Sequence, residues 1–275
     1  CRRGCAGGSS DMARPGATLP PLPPKPANLF PVWSGLLIAL FVVITRDLEI
    51  TFEDLFWGLA DMAEFLGRFD HPDFTELPRY LRLMGETLAM AAWGTALSLA
   101  IAVVAAPFAA RNLSPSPIIY RIVREALNLL RAIPDLLLAL IFVAALGLGP
   151  LAGTLALGLH TAGFLGKFFA ECLERVDPGA YEAAYAAGAG FLQTTVWIGW
   201  PSIIQEVVGY TIFVLDRNVR MAAVLGLVGA GGIGFAMQQA LRLFEYGSAA
   251  ALILVILATI MIIDYLSAGL RARVR

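Results

Sequence analysis

Charge is the scarcest thing in this sequence of 275 residues. Asp, Glu, Lys and Arg make up 15% of it and hydrophobic residues 58%, where a soluble domain carries about 25% and about 45–50%. Mean hydropathy is +0.73. That apolar excess is too large for a soluble core and points to a polytopic membrane protein. The 20 Lys and Arg and 21 Asp and Glu cancel to a net charge of -1, which excludes a polyanion-binding surface and with it a nucleic-acid partner. Cysteine is limited to Cys1, Cys5 and Cys172, with neither disulfide nor zinc spacing and no nearby His to complete a metal motif. Lysine is limited to Lys25 and Lys167. Gly166-Lys167 runs into Phe168, so there is no G-x-x-x-x-G-K-[ST] phosphate loop. Ser98, Ser202, Ser248 and Ser267 lack a Gly-x-Ser-x-Gly setting, and Asp135 and Asp264 lack the flanks of an intramembrane aspartyl protease. These gaps argue against a membrane-embedded enzyme.

What is abundant is long apolar runs. A helix needs about 20 apolar residues to cross a bilayer. Six segments qualify: Leu29–Thr45, Thr87–Ala110, Ala126–Leu148, Leu151–Cys172, Thr194–Leu215 and Gly247–Leu266. The third and fourth form a hairpin split at Gly147, Gly149, Pro150 and Gly153. Met221–Leu241 is long enough to cross, but its five glycines predict a short helix, a Gly-rich break and another short piece packed inside the protein. Six spans with both termini cytoplasmic put most Lys and Arg inside, Arg131 and Arg271 among them, and leave an acidic loop outside after the first span. Phe52–Phe69 in that loop reads as an amphipathic interfacial helix. Residues 1–28 are expected to be a mobile, cationic, proline-rich cytoplasmic lead-in, in which Met12 is a candidate start. Residues 29–84 hold the first span and the amphipathic segment, and 85–275 the core.

The loop at about 174–201 carries the most specific pattern. It reads Glu182-Ala183-Ala184, three residues, Gly188, nine residues, Ile198-Gly199-Trp200-Pro201. Asp177-Pro178 should start a thin, Ala-rich helix there, and Gly188 should end or bend it. This pattern resembles the EAA motif of the permease subunits of ATP-binding-cassette (ABC) importers, departing from it at Trp200, where the family prefers Leu. The resemblance implies an all-α, MetI-like permease whose Glu182 helix couples to a separate ATPase. ATP and Mg would then be held by that partner, with no cofactor on this chain. A scaffold or an ion-coupled secondary transporter would leave the motif unexplained.

Three further segments narrow the resemblance: Leu129-Leu130-Arg131-Ala132-Ile133-Pro134-Asp135, the run from Leu155 through His160 to Lys167, and Asn218-Val219-Arg220 followed by the glycines up to Gly234. Together with Asp264 and Ser267 they look like the phosphonate importer permeases, the PhnE family, over residues 85–275. Two departures stand out: Asp216 where the family usually has Glu, and Trp200-Pro201-Ser202 where it often has Leu-Pro-Gln. Related phosphite and hypophosphite permeases share much of the pattern. The resemblance implies a homodimer in a bacterial inner membrane, two PhnC-like ATPase subunits, and a PhnD-like binding protein that delivers the anion.

A phosphonate needs a weakly attractive polar route rather than a tight site. Asn218, Arg220 and the backbone of Gly229, Gly231, Gly232 and Gly234 are the expected lining of the outer pathway and its gate. The alternative is that Arg220 pairs with Asp216 while the glycines permit close packing. His160 is expected either to face the pathway or, preferably, to bond a neighbouring helix. Glu206 should face a partner helix or a cavity, and Asp264 should pair with Arg131 or Arg271.

Overall fold

The structure is a computed structural model and describes residues 30–47 and 52–274. The lead-in 1–28, with Cys1 and Cys5, lies outside the described residues. The described residues are mostly helical, with no strand among them. The chain divides into two units, Cys1–Asp61 and Met62–Arg275. In the first, α1 (Phe30–Asp47) is apolar along its length and exposes Trp33, Leu37 and Phe41 among others. The amphipathic α2 (Phe52–Gly67) follows, and its last six residues belong to the second unit.

The second unit is built on two long helices, α3 (Leu77–Ala109) and α6 (Pro150–Arg175). They pack along small residues. A Cβ on Gly94 would sit 3.0 Å from that of Leu157, and one on Gly158 would sit 2.6 Å from Leu97. Such small side chains let helix backbones approach closely, which is how membrane helices gain packing energy where lipid is as apolar as leucine. Between them run α4 (Pro117–Ala132) and α5 (Asp135–Leu146). The Ser116 hydroxyl caps α4, accepting from Ile118 N–H at 3.3 Å. Pro134 then forbids continuation, because the residue before proline avoids the helical region, and the two helices meet at 87°. The third span is therefore a broken one, not the single helix expected over Ala126–Leu148. Glycines on α6 make room for α4: a Cβ at Gly163 would lie 2.7 Å from the Leu127 carbonyl oxygen, and one at Gly166 would lie 2.8 Å from the Leu127 side chain.

A short helix α7 (Pro178–Ala186), a single turn α8 (Phe191–Thr194) and a π-helical turn at Thr195–Gly199 lead into α9 (Trp200–Leu225). The fifth span was expected to stop at Leu215. The helix instead continues ten residues further, so Asn218 and Arg220, expected just outside the fifth span, lie within its helix. A 3-10 turn at Gly226–Val228, α10 (Gly232–Arg242) and α11 (Tyr246–Val274) complete the chain. The Gly-rich stretch is thus a turn between two helices, as its glycine content predicts.

Among the described residues four helices are long and apolar enough to cross a membrane, and the bent α4–α5 pair, taken as one span, makes five. Helix α6 spans 26 residues but is more polar. His160 and Thr161 are buried in the bundle, and Lys167 is half-buried. A count of six spans therefore rests on including both α6 and the bent pair.

Candidate functional site

Two polar regions stand out against the apolar bundle. The first is the α6–α7–α9 corner. The Asp177 carboxylate accepts from Gly179 N–H at 3.0 Å, and Pro178 occupies the first turn, so α7 starts where the sequence predicts. It ends in a defined way. Ala189 N–H donates to Ala184 O at 3.0 Å and Gly188 N–H to Tyr185 O at 3.0 Å, with Gly188 at φ +83°. This double bond is the Schellman C-cap, and it needs the left-handed residue that Gly188 supplies.

Tyr181 points inward from α7. It is 4% exposed and donates its hydroxyl to Leu173 O at 3.1 Å. Burial pushes its pKa up to about 12. Asn112 donates to the same Leu173 carbonyl at 2.9 Å, and Glu174 accepts from Arg124 and from Arg111 N–H, each at 2.8 Å. The C-terminal ends of α3 and α6, the middle of α4 and the helix α7 are thereby tied together. Glu182 and Ala183 are on the opposite, exposed face, with Ala184 partly covered. Ile198 lies in the π-helical turn, Pro201 opens α9, and Trp200 packs edge-on to Phe169 at 6.0 Å.

The second region lies inside the bundle. His160 Nδ1–H donates to Ile133 O at 2.9 Å, satisfying a carbonyl that the α4–α5 break sets free. Its Nε2 lies 3.4 Å from Arg217 Nη2. The Arg217 guanidinium sits 4.7 Å above the Phe164 ring, and that of Arg131 sits 5.6 Å from the same ring. Arg131 had been counted with the cytoplasmic charges. In the fold it lies level with Phe164, eleven residues, or about 16 Å, from the Arg175 end of α6.

Asn218 is fully buried and donates to Thr95 Oγ1 at 2.9 Å, joining α9 to α3, while its Oδ1 has no partner. Arg220 bonds Asp216 at 2.6 Å and Asp264 at 2.7 Å, clasping α9 to α11. Asp264 was expected to meet Arg131 or Arg271; its partner is Arg220. Glu206 opens onto a groove of about 730 Å³ that Phe168, Tyr210 and Arg271 also line.

The glycines beyond α9 have two different roles. Gly229, Gly231 and Gly232 hold positive φ, and Gly149 N–H donates to Gly229 O at 3.1 Å. Gly226 and Gly234 are points of backbone approach, where a Cβ on Gly226 would lie 2.6 Å from Gly234 Cα and one on Gly234 would collide with the Ala223 carbonyl. Thr87 Oγ1 accepts from Ile233 N–H at 2.9 Å, fixing the turn to α3.

Arg217 was not among the residues singled out from the sequence, yet it is the guanidinium of α9 without a carboxylate. Helical spacing could have found it. Asp216 and Arg220 are four apart and face each other, which turns Arg217 about 100° from Asp216 and about 60° from Arg220, to one side of the pair.

Residues 98–275 match the family described as the inner membrane component of binding-protein-dependent transport systems. The phosphite transport system permease protein PtxC of Stutzerimonas stutzeri is 42% identical over 214 residues, 78% of each chain. The phosphate-import permease protein PhnE of Mycolicibacterium smegmatis is 36% identical over 241 residues, covering 87% of this chain and 45% of that one. Inward-facing conformations of the MetNI methionine ABC transporter share the fold at TM-score 0.60 and 21% identity, over 74% of this chain and 99% of the solved one. Members of this family work with ATPase and binding-protein partners, and the ATPase site lies on a separate subunit. The chain belongs to the binding-protein-dependent transport family and is an inner-membrane permease subunit of an ABC importer.

Proposed function

We propose that this permease carries small phosphorus oxyanions into the cell, organophosphonates first, with phosphite, hypophosphite or phosphate as the alternative cargo. The observation that carries this reading is the pair of relatives named for phosphite and phosphate transport, 42% and 36% identical over most of this chain. The motif series from Leu129 to Gly234 supports the phosphonate assignment by its resemblance to the PhnE family.

In this reading two copies of the chain form one pathway at their interface, with both termini of each copy in the cytoplasm. Two PhnC-like ATPase subunits bind ATP and Mg, and the chain itself holds no cofactor. Each ATPase receives the exposed face of α7, where Glu182, Ala183 and Ala184 make the contact and Gly188, Ile198 and Pro201 fix the frame. Closure of the ATPases moves α7. A PhnD-like binding protein delivers the anion at the outer face. The turn through Gly229, Gly231, Gly232 and Gly234 forms the outer gate, and Asn218 and Arg220 hold α9 against α3 and α11 beside it. His160 steadies the α4–α5 break.

Uptake into vesicles holding the permease with its ATPase and binding protein tests the reading. Labelled 2-aminoethylphosphonate should enter only with ATP and should be competed by other phosphonates. ATP-driven entry of phosphite or phosphate alone keeps the machine and changes the cargo. Uptake driven by a proton gradient without ATP would refute the reading of α7.

A further inference from the structure

Membrane proteins seldom leave a cation inside the bilayer without a counter-charge, and where they do the cation marks an ion or substrate path. Among the described residues Arg220 is matched by two carboxylates and Arg124 by Glu174. Arg131 and Arg217 have no carboxylate within ion-pair distance. They come from different helices, α4 and α9, and meet on one aromatic ring, Phe164 of α6.

We propose that Arg131 and Arg217, held on Phe164, form an anion way-station where the transported oxyanion rests part-way across the membrane. The identity of the anion rests on the cargo proposed above; the cationic site does not. Three observations build it. The ring holds both guanidinium planes by cation–π contact, so their N–H groups are positioned without using up their charge. His160 approaches Arg217 with Nε2, a lone-pair nitrogen once Nδ1–H is committed to Ile133 O, and so adds no charge. Asp135, half-buried at the start of α5, is the acidic residue at the α4–α5 break, and its Oδ1 accepts from Leu136 N–H at 3.0 Å. Two cations against one carboxylate leave the site one positive charge in excess, which suits a mono- or dianion.

Position separates the cargo from a lipid headgroup. By helix rise, Phe164 lies about 21 Å from the Pro150 end of α6 and about 16 Å from the Arg175 end, so with α6 counted as a span the site is at the depth of hydrocarbon rather than headgroups. Both arginines are half-buried, so neither is sealed inside the subunit. Guanidinium binds tetrahedral phosphorus oxyanions through paired hydrogen bonds. With two donors shared and no enclosing cage, the hold is weak enough to release.

The test uses the complete importer in vesicles and reads two quantities together, anion uptake and ATP hydrolysis stimulated by loaded binding protein. For Arg217→Gln and Arg131→Gln, uptake should fall by about tenfold or more while stimulated hydrolysis stays within about twofold, because the cation acts on the cargo and not on coupling. Arg217→Lys should restore part of the uptake. Wild-type uptake in both Gln variants would overturn the proposal. So would a parallel loss of uptake and hydrolysis that Lys does not relieve, since that marks a structural role. If the wild type carries no phosphorus oxyanion, the cargo reading fails by itself. The same variants, assayed on the solute that is carried, then decide the site: loss for an anion supports it, and no loss overturns it.

Discussion

Gly188 is the position where one backbone conformation can be separated from every other contribution to α7, the proposed coupling helix. It holds φ +83°, and a Cβ there would meet nothing within 4 Å. Replacing it by Ala therefore adds no clash within this chain; the cost is that of putting a side chain into the left-handed region, about 1–2 kcal/mol. Asn tolerates that region better, and Val tolerates it worse. If the last turn of α7 opens locally, a penalty of this size shifts its population by roughly 5- to 30-fold toward the open form. The order of stimulated ATP hydrolysis in the reconstituted importer should then be Gly188, Asn, Ala, Val. The same order should appear in amide hydrogen exchange at Ala187, Gly188 and Ala189, whose N–H groups close the cap. An order that follows side-chain bulk, with Asn below Ala, would refute the argument and make Gly188 a surface against which the ATPase packs. Wild-type hydrolysis in the Val variant would refute it outright.

Other outcomes follow from the same structure. Arg220→Gln strips Asp216, 6% exposed, of its counter-charge and should lower stability by about 3 kcal/mol; thermal unfolding in detergent should show it, with much of the loss recovered by adding Asp216→Asn. Glu182→Gln lies on an exposed face and should change stability by less than about 0.5 kcal/mol, yet reduce co-purification of the ATPase. Gly163→Ala pushes a Cβ to 2.7 Å from the Leu127 carbonyl oxygen and should cost about 1–3 kcal/mol by overpacking, read as a lower melting temperature. Tyr181 favours the neutral phenol when folded, so the stability it adds is present below pH 10 and is lost between pH 10 and about 12; a Tyr181→Phe variant should lose the component of the ultraviolet titration near pH 12.

Much of this was legible in the residues. Long uncharged runs announce α1, α3 and α11, and Asp177-Pro178 and Gly188 announce the two ends of α7, because caps act within a few residues. The break inside the third span was less visible. Pro134 signals it, but the uninterrupted apolarity from Asp135 onward conceals a bend of 87°. The end of α9 was misplaced because Asp216, Arg217 and Arg220 look like the edge of a membrane span; in the fold two of those charges cancel each other inside it. Pairing between distant helices, Asn218 with Thr95 or Arg220 with Asp264, has no local signature at all. Tertiary placement decides it.

The two routes that lead from α7 into the bundle differ in stiffness. On the α9 side the path passes through the π-helical turn at Thr195–Gly199, a place where a helix can change its winding. On the α6 side Tyr181 grips the Leu173 carbonyl, and α6 continues from there to His160 as one unbroken helix over 13 residues, about 20 Å. If α7 receives the ATPase as proposed, a push on it travels to the α4–α5 elbow along the stiff rail of α6, while the α9 side can yield at its π-helical turn.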